Sequence, residues 1–212
     1  MNRDIFEKLS SFFTKFKSTN LKKGENLLRA DEVPAGVYFL QEGLVKQYFL
    51  THKGDEFIVN VFKSGSFFPM PWAINNIKNT FYFEASTDAK VFIAPKEKAV
   101  SFLKDNPDVM FDLLSRIYRG IDGVFLKMAY MMSGDAYERL VNVLLIHAKR
   151  FGKEENGQIK ILINEKDLSN QIGIRRETVS RQLKKLKEKN LAVFDKGEII
   201  IPNLQRFEAE LF

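Results

Sequence analysis

A chain of 212 residues, 45% of them hydrophobic, can bury a substantial core in one large domain or two smaller ones. With no cysteine and only two histidines, His52 and His147, it excludes disulfides, thiol nucleophiles, zinc ribbons, cysteine-held iron–sulfur clusters and a histidine metal cluster. The net charge of +6 favours polyanionic partners, and its location says more than its size: Arg175–Lys189 carries seven basic and two acidic residues.

At the amino terminus Ile5, Leu9, Phe12, Phe13 and Phe16 recur at helical spacing. The stripe reads as a cap packing on the following domain rather than a membrane-surface helix. The stretch is broken by charges and has no cleavage-site pattern, so a signal peptide is not expected in it. No apolar run approaches the ~20 residues needed to span a bilayer, so no membrane partner is expected and the expected location is cytoplasmic. From Leu21 to Ile93, aromatic and β-branched segments such as GVYFLQEG, LVKQYFL, EFIVNVF and KVFIA alternate with glycine turns. That punctuation predicts an antiparallel barrel or jelly roll.

A helical zone follows. The segment PKEKAVSFLKDNP predicts a short helix closed at Asn106-Pro107. Met110, Leu114, Ile117, Ile121, Val124, Met128 and Met131 then recur at spacings of 4, 3, 4, 3, 4 and 3, a heptad seam. Such a seam fits a core helix laid across the barrel, but its regularity favours one that also pairs with its copy in a homodimer. Gly120 and Gly123 interrupt it, either to admit a close backbone approach or as a soft point, each at a cost of about 1 kcal/mol against Ala. Ser133-Gly134-Asp135 breaks the pattern. The expected organisation is α+β, with a β-barrel domain over 1–107, a long dimerisation helix over 108–134 and a carboxy-terminal domain over 135–212.

The last zone starts with the amphipathic segment AYERLVNVLLIHAKRF, on which His147 reads as a packed histidine rather than a ligand. Asn164 is placed to cap a helix with Asp167 at its third position. Leu168 and Ile172 give that helix an inward face, Gly173 ends it, and a second helix starts near Arg175. Helix, glycine turn and helix form a helix-turn-helix, whose second helix enters the major groove by its leading residues. There Val179, Leu183 and Leu186 point inward, so Arg176, Glu177, Ser180 and Arg181 project outward. Arginine can donate two bonds to guanine, and glutamate can accept from cytosine N4. An acid leading a basic helix is hard to explain by phosphate attraction and easy to explain if it reads a base. Lys184, Lys185, Lys187 and Lys189 read mostly as solvated surface. The tail around Asp195-Lys196-Gly197-Glu198 predicts a hairpin, which would act as a wing. Lys166, Arg175, Thr178 and Lys196 are the candidate phosphate contacts.

The segment IGIRRETVSRQLKKLKEKNL resembles the recognition region of the Crp/Fnr family of bacterial transcription regulators, and the order of elements extends the resemblance over nearly the whole chain. It implies a cyclic-nucleotide-binding-like jelly roll, a dimer helix and a winged helix-turn-helix. By this resemblance Arg176, Glu177 and Arg181 match the base-reading trio of the cyclic-AMP receptor branch. Ser180 matches the serine of the Glu-x-x-Ser-Arg pattern in the Fnr branch. The implied target is double-stranded DNA with TGTGA-like or TTGA-like inverted half-sites, read by a homodimer. RNA polymerase is a further candidate partner, although no surface patch for it is marked in the sequence. Arg175 stands where the family commonly places a serine cap, which should weaken the helix start by up to about 1 kcal/mol.

The sensor departs from the family's nucleotide site. Where cyclic-nucleotide binders carry Phe-Gly-Glu, this chain has Phe68-Pro69-Met70, and Asn79-Thr80 falls where Arg-Ser or Arg-Thr is expected. Pro69 lacks an N–H, Met70 cannot hold a hydroxyl, and no arginine remains for the phosphate; Lys78 is no bidentate substitute. On the long helix, Val124 and Phe125 align with the Thr-Ser pair that meets adenine. Cyclic AMP is therefore not the expected effector, and no other cofactor is predicted. Haem would need an axial ligand, and His52 falls in a turn; a haem-dependent gas or nitrosative-stress sensor is the weaker alternative. Phe68, Met70, Trp72, Tyr82, Phe83, Val124 and Phe125 form a candidate pocket for an apolar or aromatic effector. Alternatively they fill the barrel of a regulator set by its abundance. No glycine-rich phosphate loop, nucleophile–base pair or metal-ligand spacing is present, so no enzymatic role is expected. A nucleotide module serving a kinase or channel is opposed by the altered cassette and by the winged helix.

Overall fold

The computed structural model describes residues 3–195 and 197–211. The chain divides into two compact units, 1–118 and 119–212. The division falls within the long helix α4 (Pro107–Ser133).

The first unit opens with α1 (Arg3–Phe13) and then runs through β1 (Lys17–Leu21), β2 (Asn26–Leu28), β3 (Val37–Glu42), β4 (Leu44–Leu50) and β5 (Glu56–Lys63). After β6 (Phe67–Phe68) come α2 (Met70–Asn75), β7 (Tyr82–Ala85), β8 (Ala89–Ala94), α3 (Lys96–Asp105) and the start of α4. The strands form two antiparallel four-stranded sheets, β1-β8-β3-β6 and β2-β7-β4-β5. This is the jelly roll that the turn spacing predicts.

Strand β3 explains the layering. Its side chains alternate between two hydrophobic environments because a strand has a period of two. Tyr38 and Leu40 join Val45, Phe68, Phe83 and Val91 between the sheets. Val37 and Phe39 face the other way, against Leu9 and Phe13 of α1, Leu103 of α3 and Leu113 of α4. One sheet is therefore covered on both faces, and the amino-terminal stripe is a cap on it. Between β3 and β4, Gly43 turns with φ +92°, where a Cβ would lie 2.4 Å from the Asp88 carbonyl oxygen; only glycine fits there.

The second unit contains the rest of α4, then α5 (Ala136–Phe151), β9 (Lys153–Glu155), β10 (Gln158–Leu162), α6 (Glu165–Ile172) and α7 (Arg176–Glu188). It closes with β11 (Val193–Asp195), β12 (Glu198–Ile201) and α8 (Leu204–Glu208). Asp135 caps α5 in a reciprocal box with Glu138: its carboxylate accepts from the Tyr137 and Glu138 N–H groups, and the Glu138 carboxylate accepts from the Asp135 N–H. Helix α5 is the centre of this unit. Leu140, Val141, Leu144 and Leu145 pack with Leu168 and Ile172 of α6, Val179 and Leu186 of α7, and Ile199 and Ile201 of β12. The antiparallel sheet β11-β12-β10-β9 flanks these helices.

Two features add to the sequence reading. Glu154 and Glu155 lie on exposed strand β9, which hairpins onto β10. After the β11–β12 hairpin, Asn203 caps α8, which buries Phe207 in the core of the unit.

Along α4, Leu114, Ile117, Ile121, Val124 and Met128 are exposed, with Ile117 at 44% and Val124 at 53%. Met131 is half-buried. A Cβ added at Gly120 or Gly123 would meet nothing within 4 Å. No helix among the described residues is long and apolar enough to cross a membrane.

Candidate nucleic-acid interface

The candidate interface is built on α6, the Gly173 turn and α7. Asn164 Oδ1 accepts from the Asp167 N–H at 2.8 Å and its Nδ2 donates to the Asp167 carboxylate at 2.9 Å, which fixes the start of α6. Gly173 ends that helix in the left-handed region at φ +66°, with its N–H bonded to the Ser169 carbonyl at 2.9 Å. The chain then re-enters a helix within three residues.

In α7, Val179, Leu183 and Leu186 are buried as the 4 and 3 spacing predicts, and Gln182 is buried beside them. Arg176, Glu177, Ser180 and Arg181 are all exposed on the other side. Lys166 and Arg175 are exposed too, and Thr178 is half-buried. Lys196 lies outside the described residues; its hairpin neighbours pair as β11 and β12. No side chain caps α7 at Arg175. The leading N–H groups of a helix have no partner within it and carry its positive dipole end, so an uncapped start presents them to an anion.

Two contacts stiffen this framework. His147 on α5 meets Gln171 on α6 through Nε2 and Oε1 at 2.9 Å. Burial, with nearby Arg150 and Lys127 adding to it, pushes the imidazole down to about 4, so His147 is a neutral packed side chain. Across the turn, Arg176 Nε donates to Glu165 Oε2 at 3.0 Å. The sequence reading assigned no role to Glu165; an acid in the first turn of α6 opposite an arginine starting α7 is the pattern that could have revealed it. The lysine-rich end of α7 is mixed. Lys184, Lys185 and Lys187 are exposed, while Lys189 pairs with Glu210 and lies over the Tyr137 ring.

The barrel segment aligned with a nucleotide site is occupied by protein contacts. Phe68 stacks on Phe62 and Phe83 at 4.4 and 5.1 Å between the sheets. Met70 and Trp72 pack in the other cluster, under the helices, and Lys96 lies over the Trp72 ring. Tyr82 stacks on Tyr48. The five barrel residues of the candidate pocket are therefore divided among separate contacts. Asn79 is buried; its Nδ2 donates to the Arg29 and Phe81 carbonyls at 2.8 Å each. Lys78 pairs on the surface with Asp31. His52 is exposed in the turn between β4 and β5.

Comparison with known proteins agrees with this layout. The cyclic nucleotide-binding domain profile matches residues 18–106, and the Crp-like helix-turn-helix domain profile matches residues 138–210. The global nitrogen regulator of Synechocystis sp. is 27% identical over 171 residues, 79% of this chain and 76% of that protein. The fumarate and nitrate reduction regulatory protein of Escherichia coli (strain K12) is 22% identical over 185 residues, 86% of this chain and 74% of its own. A CRP/FNR-family transcriptional regulator from Thermus thermophilus has the same fold, with a TM-score of 0.73 at 19% identity, covering 92% of this chain and 98% of that one. The nucleotide implied by the first profile does not fit the residues present. Pro69 offers no N–H, and Asn79, where an arginine would hold phosphate, has its amide bonded to the Arg29 and Phe81 carbonyls.

Proposed function

The chain belongs to the Crp/Fnr family of DNA-binding transcription regulators, not enzymes, and from that premise we propose that it reads an inverted-repeat site as a homodimer. Arg176, Glu177, Ser180 and Arg181 would read base edges of TGTGA-like or TTGA-like half-sites, with Lys166, Arg175, Thr178 and Lys196 on phosphates. The observation carrying this reading is that all four readers are exposed on α7 while Val179, Leu183 and Leu186 anchor its opposite face. The cytoplasm is where such a regulator meets DNA, and RNA polymerase is the partner it would meet as an activator.

The exposed apolar seam of α4 supports the dimer. Apolar side chains repeating at 4 and 3 without cover match a surface that a second copy of the same helix buries. The stacking of Phe62, Phe68 and Phe83 favours a filled barrel, and so a regulator set by abundance, over one that holds an aromatic effector between barrel and helix. Cyclic AMP is not part of either reading.

Anisotropy titrations on labelled inverted repeats test the proposal. Two chains should bind each duplex, and cyclic AMP should leave the affinity unchanged. Inserting about 5 base pairs between half-sites turns one by half a helical turn and should remove most of the affinity. Equal binding to both spacings would defeat the dimeric reading.

A further inference from the structure

Glu165 opens α6 and Arg176 opens α7, eleven positions later, and the turn between them joins their side chains at 3.0 Å. The carboxylate is largely shielded, with its side chain 16% exposed, while the arginine remains 69% exposed. The acid sits in the first turn of its helix, where the helix dipole favours negative charge. It is the fixed member of the pair, and the arginine is the member that reaches out. Only Nε of Arg176 is engaged; among the described residues its two Nη groups make no hydrogen bond.

A guanidinium offers a planar fork of five N–H donors, and guanine takes two of them at O6 and N7. With Nε held by Glu165, the pair left for the base is the end-on pair on Nη1 and Nη2. An acid beside DNA opposes binding through the phosphate charge, so general affinity gives no reason for a glutamate at this place.

We infer that Glu165 is a positioning and specificity-determining residue, which holds the guanidinium plane of Arg176 so that its Nη edge meets guanine. This rests on Arg176 being a base reader. A contact that only braces the turn would affect folding stability, and a contact that only competes with DNA would change all affinities together. A positioning contact changes the preference at one base pair.

The test measures binding of the full chain to the best site recovered from a randomised inverted-repeat library, and to that site with each base pair changed singly. Arg176→Ala first identifies the base pair that Arg176 reads, by loss of guanine preference there. Glu165→Gln keeps an acceptor at the same reach without the charge, and should retain most of that preference. Glu165→Asp keeps the charge but withdraws it by one methylene, and should lose about tenfold of the preference at that pair alone, within the range set by one bidentate contact. Thermal midpoints recorded alongside separate folding from reading, and each variant is compared with itself across base pairs, so a change in active fraction cancels. If Glu165→Asp keeps the full preference, or Glu165→Gln loses it, the inference is overturned while base reading by Arg176 stands. If Arg176→Ala itself leaves every preference intact, the base-reading assignment fails, and this inference fails with it.

Discussion

Helix α7, the proposed reader, and the barrel segment from Phe67 to Thr80 are the two places where the family's chemistry should be found, and they differ in where their side chains go. On α7 the apolar residues Val179, Leu183 and Leu186 form the anchor, and the polar groups remain exposed. In the barrel segment Phe68 stacks on Phe62 and Phe83, and the one buried amide, Asn79, bonds to backbone carbonyls. One region leaves most of its hydrogen-bonding capacity exposed; the other satisfies it internally. The lesson is that a profile match locates a domain, whereas free chemistry at named residues locates a function.

This contrast can be broken at either end. The largest effect is expected in the barrel: Phe68→Ala should destabilise the first unit by about 3–5 kcal/mol, because it removes a fully buried ring. If Phe68 instead lines an effector site, the loss will be far smaller and calorimetry will show it. Next, Ile121→Glu places a charge in the proposed seam and should weaken dimerisation by about 3 kcal/mol, roughly a hundredfold. Analytical ultracentrifugation reads this directly, and an unchanged dimer would exclude α4 as the interface.

His147 sets a comparable effect on pH. Its folded pKa of about 4 lies below the ordinary 6.5, so between those values the unfolded chain binds a proton that the folded chain does not. Its contribution is therefore fully present above pH ~6.5 and is lost as pH falls toward 4, about 3 kcal/mol in all at ~1.4 kcal/mol per unit. The difference in urea-unfolding free energy between wild type and His147→Gln should shrink by that amount over this window. A pH-independent difference would show that the imidazole is not held neutral by burial. Smallest is Arg175→Ser, which supplies the missing cap: the second unit should gain about 1 kcal/mol. The same change should weaken binding evenly across DNA sequences and reduce the salt slope by about 1, since a phosphate contact is lost.

Much of the layout was legible because periodicity and turn chemistry are local. The 4 and 3 spacing of Val179, Leu183 and Leu186 set the outward face of α7, and Gly173 marked the turn. Other features depended on neighbours distant in sequence. Phe67 and Phe68 are consecutive, so alternation along the strand sends one toward the helices and the other between the sheets. A run of aromatic letters therefore reads as one pocket when it supplies two clusters. Lys46 looks like an ordinary solvent-facing strand position, yet it is buried with Glu56 and Glu84 at 3.0 Å each, one from each neighbouring strand. The β9–β10 hairpin did carry its signal in Asn156-Gly157, both at positive φ, but its first strand is polar and exposed and shows no apolar alternation. The Glu165–Arg176 pair required the folded turn to bring its members together.

The central claim is that α7 reads bases and does not merely hold phosphates, and Glu177 tests it most directly. Binding of wild type and Glu177→Ala should be compared across all single base-pair variants of the preferred half-site, at one fixed salt concentration. Discrimination at a single C·G pair should collapse by about 1–3 kcal/mol, while non-specific affinity stays level or rises because an acid has been removed. An equal change on every sequence, with each base preference preserved, would contradict base reading by this helix.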